Sequence, residues 1–196
     1  MGRDDEREKE KGGTTDSDLQ LVTAIAHGDR QALSDLYLRY SRPLLHYLGH
    51  FTSDRGVAEE LLQDTLVAVW KNASSFRGEA SVQAWLFGIA RRRACKRLRR
   101  VEPPRAEATE LLDLPAPDLE PETALLARVA RDEIIAALGQ LTPIHREVLL
   151  QTFVHGLAYS ETADILGVPV GTIKSRLSNA RRSLRALLAP EAKKVD

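Results

Sequence analysis

Residues 159–179 read YSETADILGVPVGTIKSRLSN, two short amphipathic stretches on either side of a Gly-Val-Pro turn. Ser160 is predicted to cap the first helix, because its hydroxyl can accept a backbone N–H that has no partner inside the helix. Gly167 supplies the backbone freedom that ends this helix, and a second helix is predicted to start near Val170. Two short helices joined by so tight a turn are typical of a helix-turn-helix.

The spacing of small and apolar residues supports the same motif. Ala163 is small enough for the second helix to cross closely, Gly167 follows four residues later, and Ile173 comes ten residues after Ala163 to fill the core. The second helix is expected to bury an apolar stripe made of Ile173, Leu177, Ala180 and Leu184. The remaining face is predicted to contact DNA through Thr172, Lys174, Ser175, Arg176, Ser178, Asn179, Arg181 and Arg182.

The polar side chains of this helix suggest how it would read duplex DNA. In the major groove, Lys174 suits the acceptors of guanine and Asn179 suits adenine. The arginines are expected to bind backbone phosphates, which fixes the position of the helix along the DNA and makes its affinity for DNA depend on salt. These arginines are Arg176, Arg181, Arg182 and Arg185.

The distribution of charge also indicates a polyanionic partner. The formal net charge is zero, yet residues 91–100 carry seven bases and residues 171–189 carry five, with no acid in either run. The N-terminal tail and residues 101–122 are acidic. Two acid-free runs, each at the end of a predicted domain, favour nucleic-acid binding over solvated helix faces.

Composition divides the chain into two domains. Residues 1–17 hold no apolar side chain after Met1 and are predicted to be a disordered tail. Residues 101–122 hold five of the nine prolines and seven acids against one base, which predicts an extended, flexible linker. A helical domain is therefore predicted over residues 18–100 and a second one over 123–190, because the composition favours an all-α protein.

A further helix is predicted just before the helix-turn-helix. Thr142 is a plausible N-cap, and Pro143 then occupies the first helical position, where its missing N–H costs nothing. Gly156 is predicted to end this helix.

The N-terminal domain contains a strongly periodic helix over residues 57–72. Its predicted core stripe consists of Ala58, Leu61, Leu62, Leu66, Val69 and Trp70. Glu60, Gln63 and Asp64 lie together on the other face.

The following stretch, 73–100, combines a loop with a basic helix. Ser74, Ser75 and Gly78 mark the loop, on which Phe76 and Arg77 are predicted to be exposed. A helix runs from about Ser81, with a predicted core face of Val82, Leu86, Ile89, Ala90, Ala94 and Leu98. Aromatic residues interleaved with bases suit single-stranded nucleic acid, although at least one of Trp85 and Phe87 is expected in the core. The predicted contacts are Ser75, Phe76, Arg77, Trp85, Arg91, Arg92 and Lys96.

Other classes of protein are poorly supported. The single cysteine excludes an internal disulfide, and the five histidines lack metal-ligand spacing, so no metal or other cofactor is expected. No apolar run approaches the roughly 18–20 residues that span a bilayer, and the N-terminus has no apolar signal-peptide core. The protein is therefore expected in the cytoplasm.

Three stretches resemble the extracytoplasmic-function (group 4) sigma factors of bacterial RNA polymerase. AEELLQDTLVAVWKN (58–72) resembles region 2.2 of that family, and SSFRGEASVQAWLFGIARRRACKRLRR (74–100) resembles regions 2.3 and 2.4. LTPIHREVLLQTFVHGLAYSETADILGVPVGTIKSRLSNARRSLRALL (141–188) resembles regions 4.1 and 4.2. The likeness covers about residues 18–189, with an acidic linker between two domains in the same order.

The resemblance implies a transcription initiation factor with no catalysis of its own. Glu60, Gln63 and Asp64 would dock on the coiled coil of the polymerase β′ clamp, and the C-terminal domain would touch the β flap. The loop 73–80 would capture a base flipped from the non-template strand of the −10 element, and the helix 81–100 would grip that element. An anti-sigma factor would be a further partner.

The resemblance also assigns the second helix of the helix-turn-helix to the −35 element. Lys174, Ser175, Ser178 and Asn179 fall where the family makes base contacts. Many members carry a bulky or basic pair where this chain has Ser178 and Asn179, so the preferred −35 sequence does not follow from the resemblance.

Two alternatives remain open at this level. A helix-turn-helix repressor or response-regulator output domain would explain residues 123–189 and leave the basic, aromatic N-terminal domain unexplained. A nuclease or similar enzyme would need converging acids for a metal, or a nucleophile system. The acids lie instead in the tail, in the linker and on helix faces.

Overall fold

A computed structural model describes residues 16–98 and 121–189, with side chains described from residue 131 in the second range. Within these ranges all regular structure is helical, which confirms the all-α prediction. The chain divides into two compact units. Met1–Leu48 and Gly56–Pro103 form the first, here called the N-terminal domain, and Pro104–Asp196 with Gly49–Arg55 form the second, here called the C-terminal domain. Most of the predicted tail (1–17) and linker (101–122) lies outside the described residues.

The described part of the N-terminal domain contains four α-helices. They are α1 (residues 16–26), α2 (Arg30–Leu48), α3 (Arg55–Asn72) and α4 (Val82–Leu98). A 3₁₀ turn, Ala73–Ser75, follows α3 directly, and a short loop leads from it to α4. Ser81 caps α4 by accepting the backbone N–H of Ala84 at 3.1 Å, so this helix begins where the sequence predicted.

The first helix starts earlier than expected. Residues 16 and 17 are already helical, although they were predicted to belong to the tail. The cause is Asp18, a buried carboxylate that accepts hydrogen bonds from Arg39 and, at 2.5 Å, from the hydroxyl of Tyr40. These bonds hold α1 on α2. Burial, reinforced by the bond to Asp18, raises the pKa of Tyr40 far above its ordinary value.

The core of this domain follows the predicted stripes of α3 and α4. On α3, Leu66 and Trp70 are half-buried, and the fully buried members are Ala58, Leu61, Leu62 and Val69. On α4, Leu98 is half-buried and the buried members are Val82, Leu86, Ile89, Ala90 and Ala94. Phe87 is completely buried against Tyr47 of α2, with ring centroids 5.0 Å apart.

The described part of the C-terminal domain runs from α5 (Pro121–Gln140) to α8 (Val170–Leu188). Between them lie α6 (Pro143–Leu149), a π-helical turn (Leu150–Val154) and α7 (Tyr159–Leu166). The apolar cluster that holds these helices together consists of Leu138, Leu141, Val148, Leu149, Leu150, Ala163, Ile173, Leu177 and Ala180.

Arg146 stabilises this domain from inside. Its guanidinium is buried and donates to the carbonyls of Leu138 at 2.8 Å, Gly139 at 2.5 Å and Leu141 at 3.3 Å. These carbonyls lie at the end of α5, where helical partners run out. Burial lowers the pKa of Arg146 from its ordinary value, and the charge is retained because the helix end supplies acceptors.

Both predicted ends of α6 are largely confirmed. The Thr142 hydroxyl accepts the backbone N–H of His145, and Pro143 occupies the first helical position. The helical run ends before Gly156, which has a positive φ of 67°. Its last turn, Leu150–Val154, is π-helical, which the sequence pattern did not predict.

The helix-turn-helix is present with one correction. Ser160 does not cap α7: the cap is Ala158, whose backbone N–H donates to the Glu161 carboxylate at 2.9 Å. Gly167 ends α7 with a φ of 66°, and the N–H of Val168 donates to the carbonyl of Ala163 at 3.1 Å. This is the Schellman arrangement that glycine favours.

The two helices of the motif then meet as predicted. α8 begins at Val170, and its residues Ile173, Leu177 and Ala180 are buried against Ala163 and the rest of the cluster. Leu184 is partly buried and packs on the same cluster. The remaining face of α8 is thereby directed to solvent.

Candidate nucleic-acid interface

α8 carries a basic groove beside its buried stripe. The groove has a volume of about 480 Å³, and Tyr159 of α7 forms one side of it. Its other lining residues recur three or four positions apart along one face of α8: Lys174, Leu177, Ser178, Arg181, Arg182 and Arg185.

The structure brings five of the nine predicted α8 residues into this groove, namely Lys174, Ser178, Arg181, Arg182 and Arg185. Ser175 and Asn179 are exposed outside it. Thr172 and Arg176 are only half-exposed, because they lie nearer the edge of the buried stripe. The Ser175 hydroxyl donates to the carbonyl of Thr172 at 3.0 Å.

Two aromatic residues near this groove were missed by the sequence reasoning. Tyr159 lines the groove and keeps 37% of its surface exposed. Phe153, on the π-helical turn, is 53% exposed and lies beneath the guanidinium of Arg181, 4.7 Å from the ring centroid to the central carbon. No periodic pattern in the sequence signals this stack, because the π turn changes the direction of Phe153.

The N-terminal domain has a second basic groove, formed where α3 ends and α4 begins its basic half. Its volume is about 410 Å³. Apolar side chains, two small polar side chains and three bases line it: Ala68, Asn72, Ser75, Trp85, Ile89, Arg92, Arg93 and Lys96.

Aromatic residues occupy two different environments around α4. Trp85 is half-buried in the wall of the second groove and packs against Phe76, with ring centroids 5.0 Å apart and planes at 47°. Phe76 was predicted to be exposed on the loop, and this is wrong, because the contact with Trp85 covers part of its ring. Phe87 is the aromatic residue that enters the core.

Of the seven predicted residues in this region, Ser75, Trp85, Arg92 and Lys96 line the groove. Arg77 does not: its side chain is 82% exposed and lies 4.0 Å from the carboxylate of Glu79. Arg91 is half-buried and also lies outside the lining.

Arg93, which was not predicted, lines the groove where Arg91 was expected. The signal was present in the sequence, since the α4 members of the lining recur at three- or four-residue steps from Trp85 and Arg91 does not. Asn72 was missed because it is a polar residue at the end of an apolar stripe, four residues after Ala68.

A third surface lies on α3. Glu60, Gln63 and Asp64 are exposed on one face, as predicted. The Glu60 carboxylate accepts from Arg97 of α4 at 2.6 Å. Val67 continues this face one turn further and is 51% exposed, so the face combines acidic and apolar surface, as protein interfaces often do.

Among the side chains of residues 16–98 and 131–189, no group of three His, Cys, Asp or Glu could hold a metal ion. No helix in the same ranges is long and apolar enough to cross a bilayer.

Comparison with family models gives two matches in chain order. Residues 36–102 match Sigma-70 region 2, and residues 131–184 match Sigma-70 region 4. The first match covers the second basic groove and the acidic face of α3. The second runs from within α5 to most of α8.

Whole-chain relatives agree with these matches. The RNA polymerase sigma-H factor of Pseudomonas aeruginosa is 32% identical over 190 residues, covering 90% of this chain and 96% of the relative. The ECF RNA polymerase sigma factor SigM of Mycobacterium tuberculosis is 33% identical over 174 residues, which cover 88% of this chain and 85% of the relative.

Solved structures show the same fold. CnrH in complex with the cytosolic domain of CnrY has a TM-score of 0.64 and 27% identity, covering 88% of this chain and 97% of that one. The sigma factor RpoE in complex with the anti-sigma factor NepR from Bartonella quintana has a TM-score of 0.57 and 28% identity, covering 80% and 98%.

Proposed function

The chain belongs to the extracytoplasmic-function sigma factors of the sigma-70 family, and we propose that its two basic grooves divide promoter recognition between them. It is a transcription initiation factor that directs core RNA polymerase to promoters. One observation carries the proposed division: each domain has its own basic groove, and the two differ in lining.

The C-terminal groove contacts the −35 element as duplex DNA. A helix that presents a row of cations beside a small polar surface fits the major groove of B-form DNA. Lys174 and Asn179 are placed to read guanine and adenine, with Ser175 and Ser178 beside them. The arginines hold phosphates and are Arg176, Arg181, Arg182 and Arg185.

The N-terminal groove contacts the −10 element as a single strand. The half-buried Trp85 and the neighbouring Ile89 offer apolar surface to an unstacked base. Arg92, Arg93 and Lys96 supply charge for the backbone that carries it. Phe76 supports Trp85 from behind, and Arg77 and Arg91 contact the strand outside the groove.

The acidic face of α3 docks on the β′ clamp of core polymerase. Glu60, Gln63 and Asp64 are exposed side by side, and Val67 adds an apolar contact. The C-terminal domain touches the β flap. Catalysis belongs to the polymerase, and the protein works in the cytoplasm, where the polymerase and the chromosome are.

An anti-sigma factor holds the chain inactive until a signal releases it. The support is that CnrH and RpoE, which share its fold, are seen bound to CnrY and to the anti-sigma factor NepR. Residues 18–100 form the −10 and clamp-binding domain, residues 123–190 the −35 domain, and residues 101–122 the connection between them.

Run-off transcription with purified core polymerase, this protein and genomic promoter fragments, including the region upstream of its own gene, tests the proposal. Specific transcripts that depend on the protein are expected, and their start sites give the −10 and −35 sequences. If the protein shifted duplex DNA alone and failed to bind core polymerase, a repressor would replace this interpretation.

A further inference from the structure

One ion pair joins the acidic face of α3 to the basic half of α4. The Arg97 guanidinium donates to the Glu60 carboxylate at 2.6 Å. Both groups remain accessible to solvent, with 38% of the Arg97 side chain and 62% of the Glu60 side chain exposed. A third charged group can therefore approach either member of the pair while the core of the domain stays packed.

Glu60 belongs to the face that is proposed to dock on core polymerase. Gln63 and Asp64 are exposed beside it. Asp64 follows Glu60 by one helical turn, and the same row of α3 continues to Ala68 and Asn72, which line the N-terminal groove. The docking face and the groove therefore adjoin each other along one side of α3.

Arg97 extends the basic row of the groove by one helical turn. Arg93 lines the groove, and Arg97 follows it four residues later on the same side of α4. Lys96, the residue just before Arg97, also lines the groove. Arg97 itself is not part of the lining, and its guanidinium is bonded to Glu60 instead. A cation placed beside the phosphate-binding bases is therefore already engaged by an acid.

Each member of the pair has a competing partner in the proposed complex. An acidic docking face is complementary to a basic surface on the polymerase, which would compete with Arg97 for Glu60. The phosphates of the −10 strand would compete with Glu60 for Arg97. An ion pair between exposed side chains is stabilised only weakly, so either competitor can displace a member of the pair.

We propose that the Glu60–Arg97 pair is an autoinhibitory contact that couples docking on core polymerase to binding of the −10 strand. In the unbound chain, Glu60 engages Arg97 and lowers the affinity of the groove for DNA. When a basic surface of the polymerase takes Glu60, Arg97 is released to a phosphate of the strand beside Lys96. The coupling is reciprocal, because the pair restrains both members equally. This inference rests on the proposed docking face and on the proposed binding of the −10 strand.

The first test compares the full-length chain alone with the holoenzyme. Binding of a −10 single strand, taken from a promoter mapped by run-off transcription, is measured by fluorescence anisotropy at low salt, where exposed charges act most strongly. Arg97→Gln should weaken strand binding about two- to fivefold in the holoenzyme, the range of an exposed ion pair. The loss should be smaller in the chain alone, because Glu60 already engages Arg97 there.

The second test releases Arg97 without the polymerase. Glu60→Gln should make the chain alone bind the −10 strand about two- to fivefold more tightly, because a neutral amide holds a guanidinium less strongly than a carboxylate does. In the Arg97→Gln background, Glu60→Gln should produce no such gain. Asp35→Asn removes an equal charge from an exposed position on α2 and should bind the strand like the wild type.

The third test is the reciprocal one and needs no DNA. Arg97→Gln should bind core polymerase about two- to fivefold more tightly than the wild type, because Glu60 then has no cation to release before docking. A purely structural bridge predicts the opposite sign, since its loss would weaken docking. Arg30→Gln removes an equal charge from the exposed start of α2 and should bind core polymerase like the wild type.

The outcomes separate the coupling from the functions on which it rests. Equal losses of strand binding by Arg97→Gln in the chain alone and in the holoenzyme, or weaker core binding by Arg97→Gln, would overturn the coupling. A gain from Glu60→Gln that persisted in the absence of Arg97 would assign the effect to net charge and would also overturn it. If the wild-type holoenzyme bound duplex −35 DNA but no −10 strand, the proposed use of the groove would fail instead. Unchanged core binding in both Glu60→Gln and Asp64→Asn would contradict the docking face.

Discussion

The two basic grooves are similar in size and charge and differ in the structural elements that form them. Their volumes are about 480 Å³ and 410 Å³, and each is lined by several bases. The C-terminal groove is formed almost entirely by one helix, α8, whose cations repeat at helical spacing. The N-terminal groove is assembled from the end of α3, a 3₁₀ turn and α4, with Trp85 in its wall.

This difference suits the two states of promoter DNA. A regular row of cations matches the regular phosphates of a duplex, where bases are reached only by their edges. A recess with an aromatic ring in its wall matches a base that has left the stack. Charge alone would not separate the two roles.

The largest expected effect is a loss of stability in the C-terminal domain that leaves the N-terminal domain unchanged. Arg146→Met removes the buried donor from three carbonyls at the end of α5. The C-terminal domain should lose about 3 kcal/mol of unfolding free energy, because buried acceptors lose charged hydrogen bonds. Both tryptophans, Trp70 and Trp85, belong to the N-terminal domain, so fluorescence should report an unchanged urea midpoint while circular dichroism shows an early transition.

Asp18→Ala is the reciprocal variant. It removes the buried acceptor of Arg39 and Tyr40, so the fluorescence midpoint should fall by an amount corresponding to about 2 kcal/mol. A single transition that moved equally in both variants would show that the two domains do not unfold separately.

The next effect tests whether both grooves depend on one docking face. Asp64→Arg reverses a charge on the acidic surface of α3 and should weaken binding to core polymerase about tenfold, equivalent to roughly 1.4 kcal/mol. Recognition of the −10 and −35 elements by the holoenzyme should fall together, since both grooves then belong to the same weakened complex. Affinity for core polymerase is measured by fluorescence titration.

Asp35→Arg provides the matched control, because it reverses an exposed acid on α2 of the same domain. It should bind core polymerase like the wild type. Equal losses in the two variants would point to net charge rather than to a docking face.

A smaller effect distinguishes the grooves by salt. Arg181→Ala in α8 and Arg92→Ala in α4 each remove one exposed cation from the lining. The measured quantity is the slope of the logarithm of the binding constant against the logarithm of salt concentration. Arg181→Ala should reduce the magnitude of this slope for duplex −35 DNA by about 0.9, and Arg92→Ala should reduce it for the single −10 strand by about 0.7. If Arg181→Ala altered binding to the −10 strand and Arg92→Ala altered binding to duplex −35 DNA, the assignment of one groove to each element would be contradicted.

The smallest effect concerns the stack of Arg181 on Phe153. Phe153→Leu keeps apolar bulk and removes the ring, so Arg181 loses its support and duplex binding should weaken about two- to threefold, as expected for an exposed cation–π pair. Phe153→Tyr keeps the ring and should bind like the wild type. In the Arg181→Ala background, Phe153→Leu should have no further effect, and an additive loss would mean that Phe153 acts independently of Arg181.

Local patterns were enough to predict much of the architecture. Gly167 between α7 and α8, the Thr142–Pro143 start of α6 and the start of α4 near Ser81 follow from nearest-neighbour chemistry, and the structure agrees. The exposed face of α3 with Glu60, Gln63 and Asp64 follows from helical period alone. The groove member Arg93 could also have been found from that period.

Predictions failed where a neighbouring side chain made a contact that the local pattern did not show. Ser160 has good capping chemistry, yet the Glu161 carboxylate accepts from the N–H of Ala158, and the cap lies two residues earlier. Phe76 was predicted to be exposed because it lies in a polar loop, and the ring of Trp85 covers part of it.

What the sequence alone determined is therefore the all-α class, the helix-turn-helix and the two basic surfaces, because each depends on residue order within one or two helical turns. Only the tertiary structure decided which side chains share a groove. The π turn places Phe153 beneath Arg181, and the end of α3 brings Asn72 beside Trp85. Such neighbours come from different elements, and the angle at which those elements meet is decided by core packing rather than by any local pattern.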